Sequence, residues 1–182
     1  MDLARKIFRI FNKLFMVPMF RLGFGPFMGN PITGYIMVIK HIGRKSGKQR
    51  FTPVNYAIID GAVYCIAGYG VKAHWYMNVM ARPLVELIMP GGAISASAET
   101  VTDPQLKLIA IRQIFRNAGF AGFFEGYNPY TASDEVFKKT LERCPVLRLR
   151  PTGIGSGACD PGGRLWISLT VITVIILLLF FA

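Results

Sequence analysis

Hydrophobic and polar positions change period several times along the chain, and each change marks an element. Leu3, Ile7, Ile10, Phe11 and Leu14 share one helical face, while Arg5, Lys6, Arg9 and Lys13 share the other. That spacing predicts a basic amphipathic helix to about Val17, broken by Pro18. Residues 19–31 carry Phe, Met, Gly and Pro without a period and read as a loop lining an apolar opening. Residues 35–41 and 51–59 read as strands, and Asp60-Gly61 as a tight hairpin turn into a partner strand over 62–67. A short helix is expected over 73–81, ended by Pro83. A second hairpin, 84–89 and 93–101, crosses Gly91-Gly92. Asp103-Pro104 starts a helix to about Asn117, with Leu106, Ile109, Ile114 and Phe115 as its apolar positions. Another helix starts at Ser133-Asp134, and residues 146–150 close as a last strand. Five or so short strands with hairpin turns and a few helices predict a small β-barrel with helical additions, in the α+β class.

The end of the chain has a different character. Residues 165–182, LWISLTVITVIILLLFFA, contain no charge, Gly or Pro. As a helix they reach about 27 Å, close to the ~30 Å hydrocarbon core of a bilayer, and predict a transmembrane helix. Arg164 at its entry and Trp166 at the interface favour a single-pass anchor with the domain on the cytoplasmic side. The organisation expected is an amphipathic, membrane-associated helix and loop (1–30), a barrel domain (31–151), a Gly-rich tether (152–164) and a membrane anchor (165–182). Membrane lipid is thus an expected partner, touched by both ends of the chain.

Composition sharpens this picture. With 182 residues, 52% of them apolar and 17% charged, the chain has room for one packed domain and is not a disordered segment. The net charge is +11, and residues 1–60 contribute ten Lys and Arg against Asp2 and Asp60. A basic first third calls for an anionic partner. Nucleic acid is disfavoured, because the cations are not interleaved with exposed aromatics in a recognisable module. Cys65, Cys144 and Cys159 have neither CxxC spacing nor accompanying histidines, so no metal site is expected. The first 16 residues lack the apolar run of a secretory signal.

Two bends carry candidate chemistry. In Gly43-Arg44-Lys45-Ser46-Gly47, followed by Lys48 and Arg50, glycines free the backbone to turn its N–H groups toward an anion that the cations neutralise. The Gly spacing is not that of a Walker loop. A solvated basic hairpin is the plainer alternative. In Ala67-Gly68-Tyr69-Gly70-Val71-Lys72 a strand ends in glycines and enters a helix, whose first N–H groups are free to take a phosphate. The plainer alternative there is a simple strand-to-helix turn, with Trp75 and Tyr76 in the core and Asn78 bonding backbone. His41 stands at a strand end, where a structural role is expected. No Ser-His-Asp or Cys-His arrangement is present, and paired carboxylates are scarce. Hydrolytic chemistry is poorly supported, and a redox enzyme built from these residues must borrow a cofactor.

The segments GRKSGKQRFTPVNY and DGAVYCIAGYGVKAHWYMNVMARP, then Gly91-Gly92, VTDP and CPVLRLRP, together resemble the deazaflavin-dependent nitroreductase family, split-barrel oxidoreductases related to the FMN-binding split barrels. The likeness runs from about Tyr35 to Pro151. It implies a split β-barrel that binds the reduced deazaflavin coenzyme F-420 and passes its hydride to an acceptor. It also implies cofactor-binding roles for Arg44, Lys45, Ser46 and Arg50 on the anionic tail, and for Gly68, Tyr69, Gly70 and Lys72 along the phosphate and ring edge. Tyr127 and Tyr130, in GYNPY, resemble tyrosines on the substrate side and are the catalytic candidates, as donors of a hydrogen bond or proton; aromatic packing is their alternative. Many relatives carry an acidic residue where this chain has His74. The expected function is a membrane-anchored oxidoreductase acting on a lipophilic, nitro or quinone acceptor. The alternatives are an FMN- or FAD-binding reductase on the same barrel and a non-catalytic membrane accessory subunit.

Overall fold

The computed structural model describes residues 10–123, 126–155 and 164–181. Six antiparallel strands form the body: β1 (Ile36–Ile42), β2 (Gln49–Ile59), β3 (Ala62–Ile66), β4 (Leu84–Met89), β5 (Gly92–Thr100) and β6 (Val146–Ile154). They close into one barrel in the order β1-β2-β3-β6-β5-β4. Alternation decides what faces in. Met37 and Ile39 of β1, Tyr56 of β2, Cys65 of β3, Leu87 of β4, Ala96 and Ala98 of β5 and Leu147 and Leu149 of β6 share one buried cluster. Asp60 and Gly61 both adopt positive φ (48° and 74°), the tight turn that a right-twisted hairpin favours. Cys65 is a fully buried free thiol, pushed by burial to a pKa of about 12.

Helices cover the barrel where its outer face is apolar. The first two are α1 (Val17–Arg21) and α2 (Gly25–Met28); the next, α3 (His74–Ala81), closes one end. Val79 of α3 is fully buried, and Trp75, Tyr76 and Met80 pack on the barrel interior. Next come α4 (Pro104–Arg116), a 3-10 turn (Gly119–Phe123) and α5 (Asp134–Arg143). The Asp103 side chain accepts the Gln105 N–H at 3.0 Å and Pro104 opens the helix, as the sequence predicts. Ala110 and Ile114 of α4 then pack on Ala57, Tyr64 and Val146. Ile109, expected on the apolar face, is 55% exposed, and Ile111 takes the buried place.

The structure corrects several expectations. All six strand segments named from the sequence are present, but β6 runs past Pro151 to Ile154. Pro151 pairs with Ala96 beside a register shift at Ser95/Ala96, a place where a missing N–H interrupts no regular ladder. Residues 1–9 lie outside the described residues, but the N-terminal helix does not stop at Pro18. A π-helical turn (Asn12–Met16) precedes α1, and the Val17 N–H reaches Asn12 O. Pro18 falls in the first turn of α1, where its absent donor costs nothing. One face of this segment packs on the domain itself: Met16 and Phe20 lie on Val38 and Ile88.

The transmembrane expectation is overturned. Among the described residues no helix is long and apolar enough to cross a membrane. The last helix, α6 (Arg164–Phe181), has 18 residues and opens on a charge. It therefore falls short of the roughly 20 apolar residues a span requires. The expected single-pass anchor, the membrane localisation and the lipid partner lose their basis with it.

One interlock shapes the surface used below. Tyr35 N–H bonds Asn117 O at 2.7 Å and Phe120 N–H bonds Ile32 O at 3.0 Å, lacing residues 32–35 to the end of α4. Gly34 sits at φ +95°, and a Cβ there would lie 2.6 Å from Ala118 O. Gly34→Ala should therefore cost about 2–4 kcal/mol of folding stability. Urea denaturation checks this, and a loss below about 0.5 kcal/mol, the size of an ordinary surface change, would contradict it.

Candidate functional site

The basic bend joins β1 to β2 at the end of the barrel that α3 closes. Gly43 N–H bonds Lys48 O at 2.9 Å, Gly47 N–H bonds Gly43 O at 2.8 Å, and Lys48 N–H donates to Ser46 Oγ at 3.4 Å. Gly47 takes φ +65°, open to glycine at no cost. Arg44 then ties the bend to α3. Its backbone N–H and its guanidinium Nη1 both donate to Asn78 Oδ1, at 3.1 and 3.0 Å, and Nη1 also reaches His74 O at 3.5 Å. Between bend and helix lies a groove of about 400 Å³, lined by Gly43, Arg44, Lys45, Ser46, Arg50, Phe51, His74, Trp75 and Asn78 over His41 and Thr52.

The groove is electrostatically one-sided. None of its lining residues is acidic, and Arg44, Lys45 and Arg50 all stand on it. His41 is 3% exposed and faces inward, where Arg50 is its cross-strand partner. Burial lowers its pKa to about 4; Arg50 adds to this, and the backbone of Ile42 opposes it. The imidazole is therefore neutral at pH 7. Its Nε2 lies 3.1 Å from Thr52 Oγ1.

A second cavity, a slot of about 240 Å³, opens outside the barrel wall. It is lined by Phe11, Met16, Ile36, Pro53, Val54 and Phe120, with Thr33, Asn12, Asn55 and Ala121. The interlock at Gly34 fixes its 3-10 wall. β2 connects the two cavities: Arg50 to Thr52 line the groove and Pro53 to Asn55 line the slot. At about 3.4 Å per residue, Arg50 and Asn55 are roughly 17 Å apart. Along this stretch β2 pairs with β1, and its pairing with β3 begins only at Tyr56. Among the described residues, no strand covers the other edge of residues 49–55.

The structure brings Arg44, Lys45, Ser46 and Arg50 together in one groove. Strand register places the Gly68–Lys72 turn at the same barrel end, since it follows β3 and leads into α3. That turn lines neither cavity. Gly70 is held against α5, where a Cβ would lie 2.7 Å from Arg143 O, and Cys144 Sγ approaches Gly68 O at 3.4 Å. Tyr69 and Lys72 are exposed beside it. Tyr127 packs between Phe115 and Phe137, both ring centroids 5.7 Å away. Tyr130 is exposed, and its hydroxyl donates to Arg116 O at 3.2 Å. Neither tyrosine lines the groove or the slot. Sequence reading missed His41 and Thr52 as groove residues. The signal was their shared parity: inward alternation on β1 and β2 carries both to the basic end. Among the described residues, no group of His, Cys, Asp and Glu could hold a metal.

Comparison with known proteins settles the class. The model of the F420H(2)-dependent quinone reductase family matches residues 17–123, more than half of the chain. The chain belongs to this family. It is a deazaflavin-dependent oxidoreductase, and F420 is its coenzyme. The flavin-binding and non-catalytic alternatives are thereby set aside. The match spans the bend, α3 and β2, and ends before Tyr127 and Tyr130. No curated protein matches the chain. Among solved structures it is similar to the conserved hypothetical protein Rv2991 from Mycobacterium tuberculosis, with 17% identity over 66% of this chain and 74% of that one (TM-score 0.49). It is also similar to an F420-H2 dependent reductase, FDR-A, with 23% identity over 63% and 93% (TM-score 0.40). The residues present fit the family's coenzyme. An acid-free groove with three cations suits a phosphate-bearing arm.

The buried imidazole makes a separate prediction. His41 binds fewer protons folded than unfolded between about pH 4 and its ordinary 6.5. Folding stability should fall as pH drops through that window, by at most about 3 kcal/mol from this group. Denaturant titrations across the window should show the slope, and His41→Gln should flatten it. An unchanged slope in the variant contradicts the assignment.

Proposed function

We propose that this member of the family reduces a flat, apolar quinone, with the coenzyme's anionic arm in the groove and the acceptor in the slot. The observation that supports this most is the division along β2, cationic at Arg50 and apolar from Pro53. The reduced deazaflavin, when bound, supplies the hydride. The chain's own work is orientation and electrostatics. Lys45 and Arg50 neutralise the arm, and Ser46 and the bend amides add hydrogen bonds. Arg44 contributes charge and holds α3 in place. A planar ring is proposed to lie along the edge of residues 49–55, which among the described residues no strand covers. Phe11, Met16, Ile36 and Phe120 exclude water around an acceptor. A quinone that receives the hydride and one proton leaves as the quinol.

The Gly68–Lys72 turn is proposed to add to the field at the same end, with Lys72 as its cation. Of the two tyrosines, Tyr130 is proposed as the donor on the acceptor side, its hydroxyl leaving Arg116 O to do so. Its ring lies 6.5 Å from that of Phe123, in the 3-10 turn whose Phe120 and Ala121 wall the slot. Tyr127 is proposed to act through its packing between Phe115 and Phe137.

Anaerobic assays with reduced coenzyme and a soluble naphthoquinone test the reading. Arg50→Glu should weaken coenzyme binding tenfold or more. Phe120→Asp should raise the quinone KM about tenfold with coenzyme affinity changed less than threefold, and Tyr130→Phe should lower kcat with little change in either constant. Those factors are what about 1.4 kcal/mol per lost contact produces. No quinone reduction by the wild type, or equal effects of Phe120→Asp on both ligands, would overturn it.

A further inference from the structure

His41 and Thr52 pose a bookkeeping problem in hydrogen atoms. Both face into the barrel end beneath the groove: on β1 and β2 the register pairs His41 with Arg50 and Ile39 with Thr52. His41 Nε2 and Thr52 Oγ1 are 3.1 Å apart, while His41 Nδ1 is buried without a hydrogen-bond partner. A neutral imidazole carries one N–H. Placed on Nδ1, it would find no acceptor in hydrogen-bond geometry, the Ile42 backbone that raises the ring's pKa included, and a buried donor left so is rarely tolerated; an unpaired acceptor is the lesser cost. Placed on Nε2, it donates to Thr52 Oγ1. The Thr52 oxygen is then an acceptor from His41, and its own hydrogen has to find another partner. Thr52 lines the groove, so that partner comes from what the groove holds.

We propose that His41 is a positioning residue: its Nε2–H holds the Thr52 oxygen and turns the Thr52 O–H into the groove as a fixed, neutral donor to an oxyanion of the coenzyme's phosphate-bearing arm. This rests on the groove being the arm's site. The titratable and charged side chains facing the pair are Arg50 from β2, Arg44 and Lys45 from the bend, and His74 from α3. Long, solvated cations attract an anion from many directions, whereas a hydroxyl held from beneath favours one oxygen position. The neutral state of His41 is part of the device. A second cation under Arg50 would be repelled by it, and a neutral ring can be buried there and still orient its neighbour.

Two measurements test this. The first uses long-range 1H–15N NMR of the imidazole in the full chain without ligand, which reads the tautomer directly. The Nε2–H form is expected, and an Nδ1–H form overturns the relay. The second is fluorescence titration of oxidised coenzyme into the folded proteins. Thr52→Val should weaken binding about tenfold, the scale of one hydrogen bond to a charged group. Thr52→Ser should stay within about twofold. His41→Phe should weaken binding several-fold, and adding it to Thr52→Val should cost nothing more, because both remove one interaction. His41→Gln, which keeps an N–H, should recover part of the loss. Unchanged affinity in Thr52→Val, or effects that multiply in the double variant, overturns the relay. If His41→Phe does not fold, the two Thr52 variants and the NMR tautomer decide it. Wild-type protein that fails to bind the coenzyme overturns the groove assignment instead, and leaves the tautomer result to stand alone.

Discussion

The site depends on two hydrogen bonds that converge on one oxygen. Asn78 Oδ1 accepts both the backbone and the side chain of Arg44, so a six-residue bend that would otherwise wave in solvent is fixed to a helix seated in the barrel. Asn78 is itself buried, next to the fully buried Val79. The position of the bend is therefore inherited from the hydrophobic core. A charged donor on a largely shielded acceptor is among the stronger hydrogen bonds a protein makes. With the bend held there, Lys45 and Arg50 face the same space, and their mutual repulsion makes that space receptive to an anion.

β2 carries the consequence along the molecule. Its first half lies against β1 and leaves its other edge open, and its second half pairs with β3. Pro53 belongs in the open half, since a residue without an N–H would break a ladder bonded on both sides. That division gives one strand a cationic end, an uncovered edge and an apolar end. A coenzyme with a charged arm and a flat ring, followed by an apolar acceptor, has the same order of chemistry. The family match, over residues 17–123, covers this whole stretch.

Much of the barrel was legible in the sequence because turn chemistry is local. Asp60-Gly61, Gly91-Gly92 and Asp103-Pro104 each mark a boundary by a backbone requirement that few residues meet. The cationic bend was legible for the same reason. Pro18 and Pro151 misled, since each sits where the structure had already released its N–H partner: in a first helical turn and at a bulge. The C-terminal run was read as a membrane span from its apolar composition, its length as a helix and its flanking Arg164 and Trp166. Its helix holds 18 residues beginning with Arg164 and falls short of one. The Gly68–Lys72 turn was assigned to the groove by its composition. Of its glycines, Gly70 stands close to Arg143 O, and the turn lines neither cavity. His41 was passed over because a histidine at a strand end has no signature until the register shows what lies opposite.

The central claim is that the groove holds the coenzyme by its negatively charged arm. Calorimetric titration of two ligands at several salt concentrations measures this most directly: the intact coenzyme, and the same deazaflavin cut back to its ring and ribityl chain. The account predicts that the intact coenzyme binds far more tightly at low salt, and that raising the salt erodes this advantage as charges are screened. Equal affinity for both ligands, insensitive to salt, would contradict it.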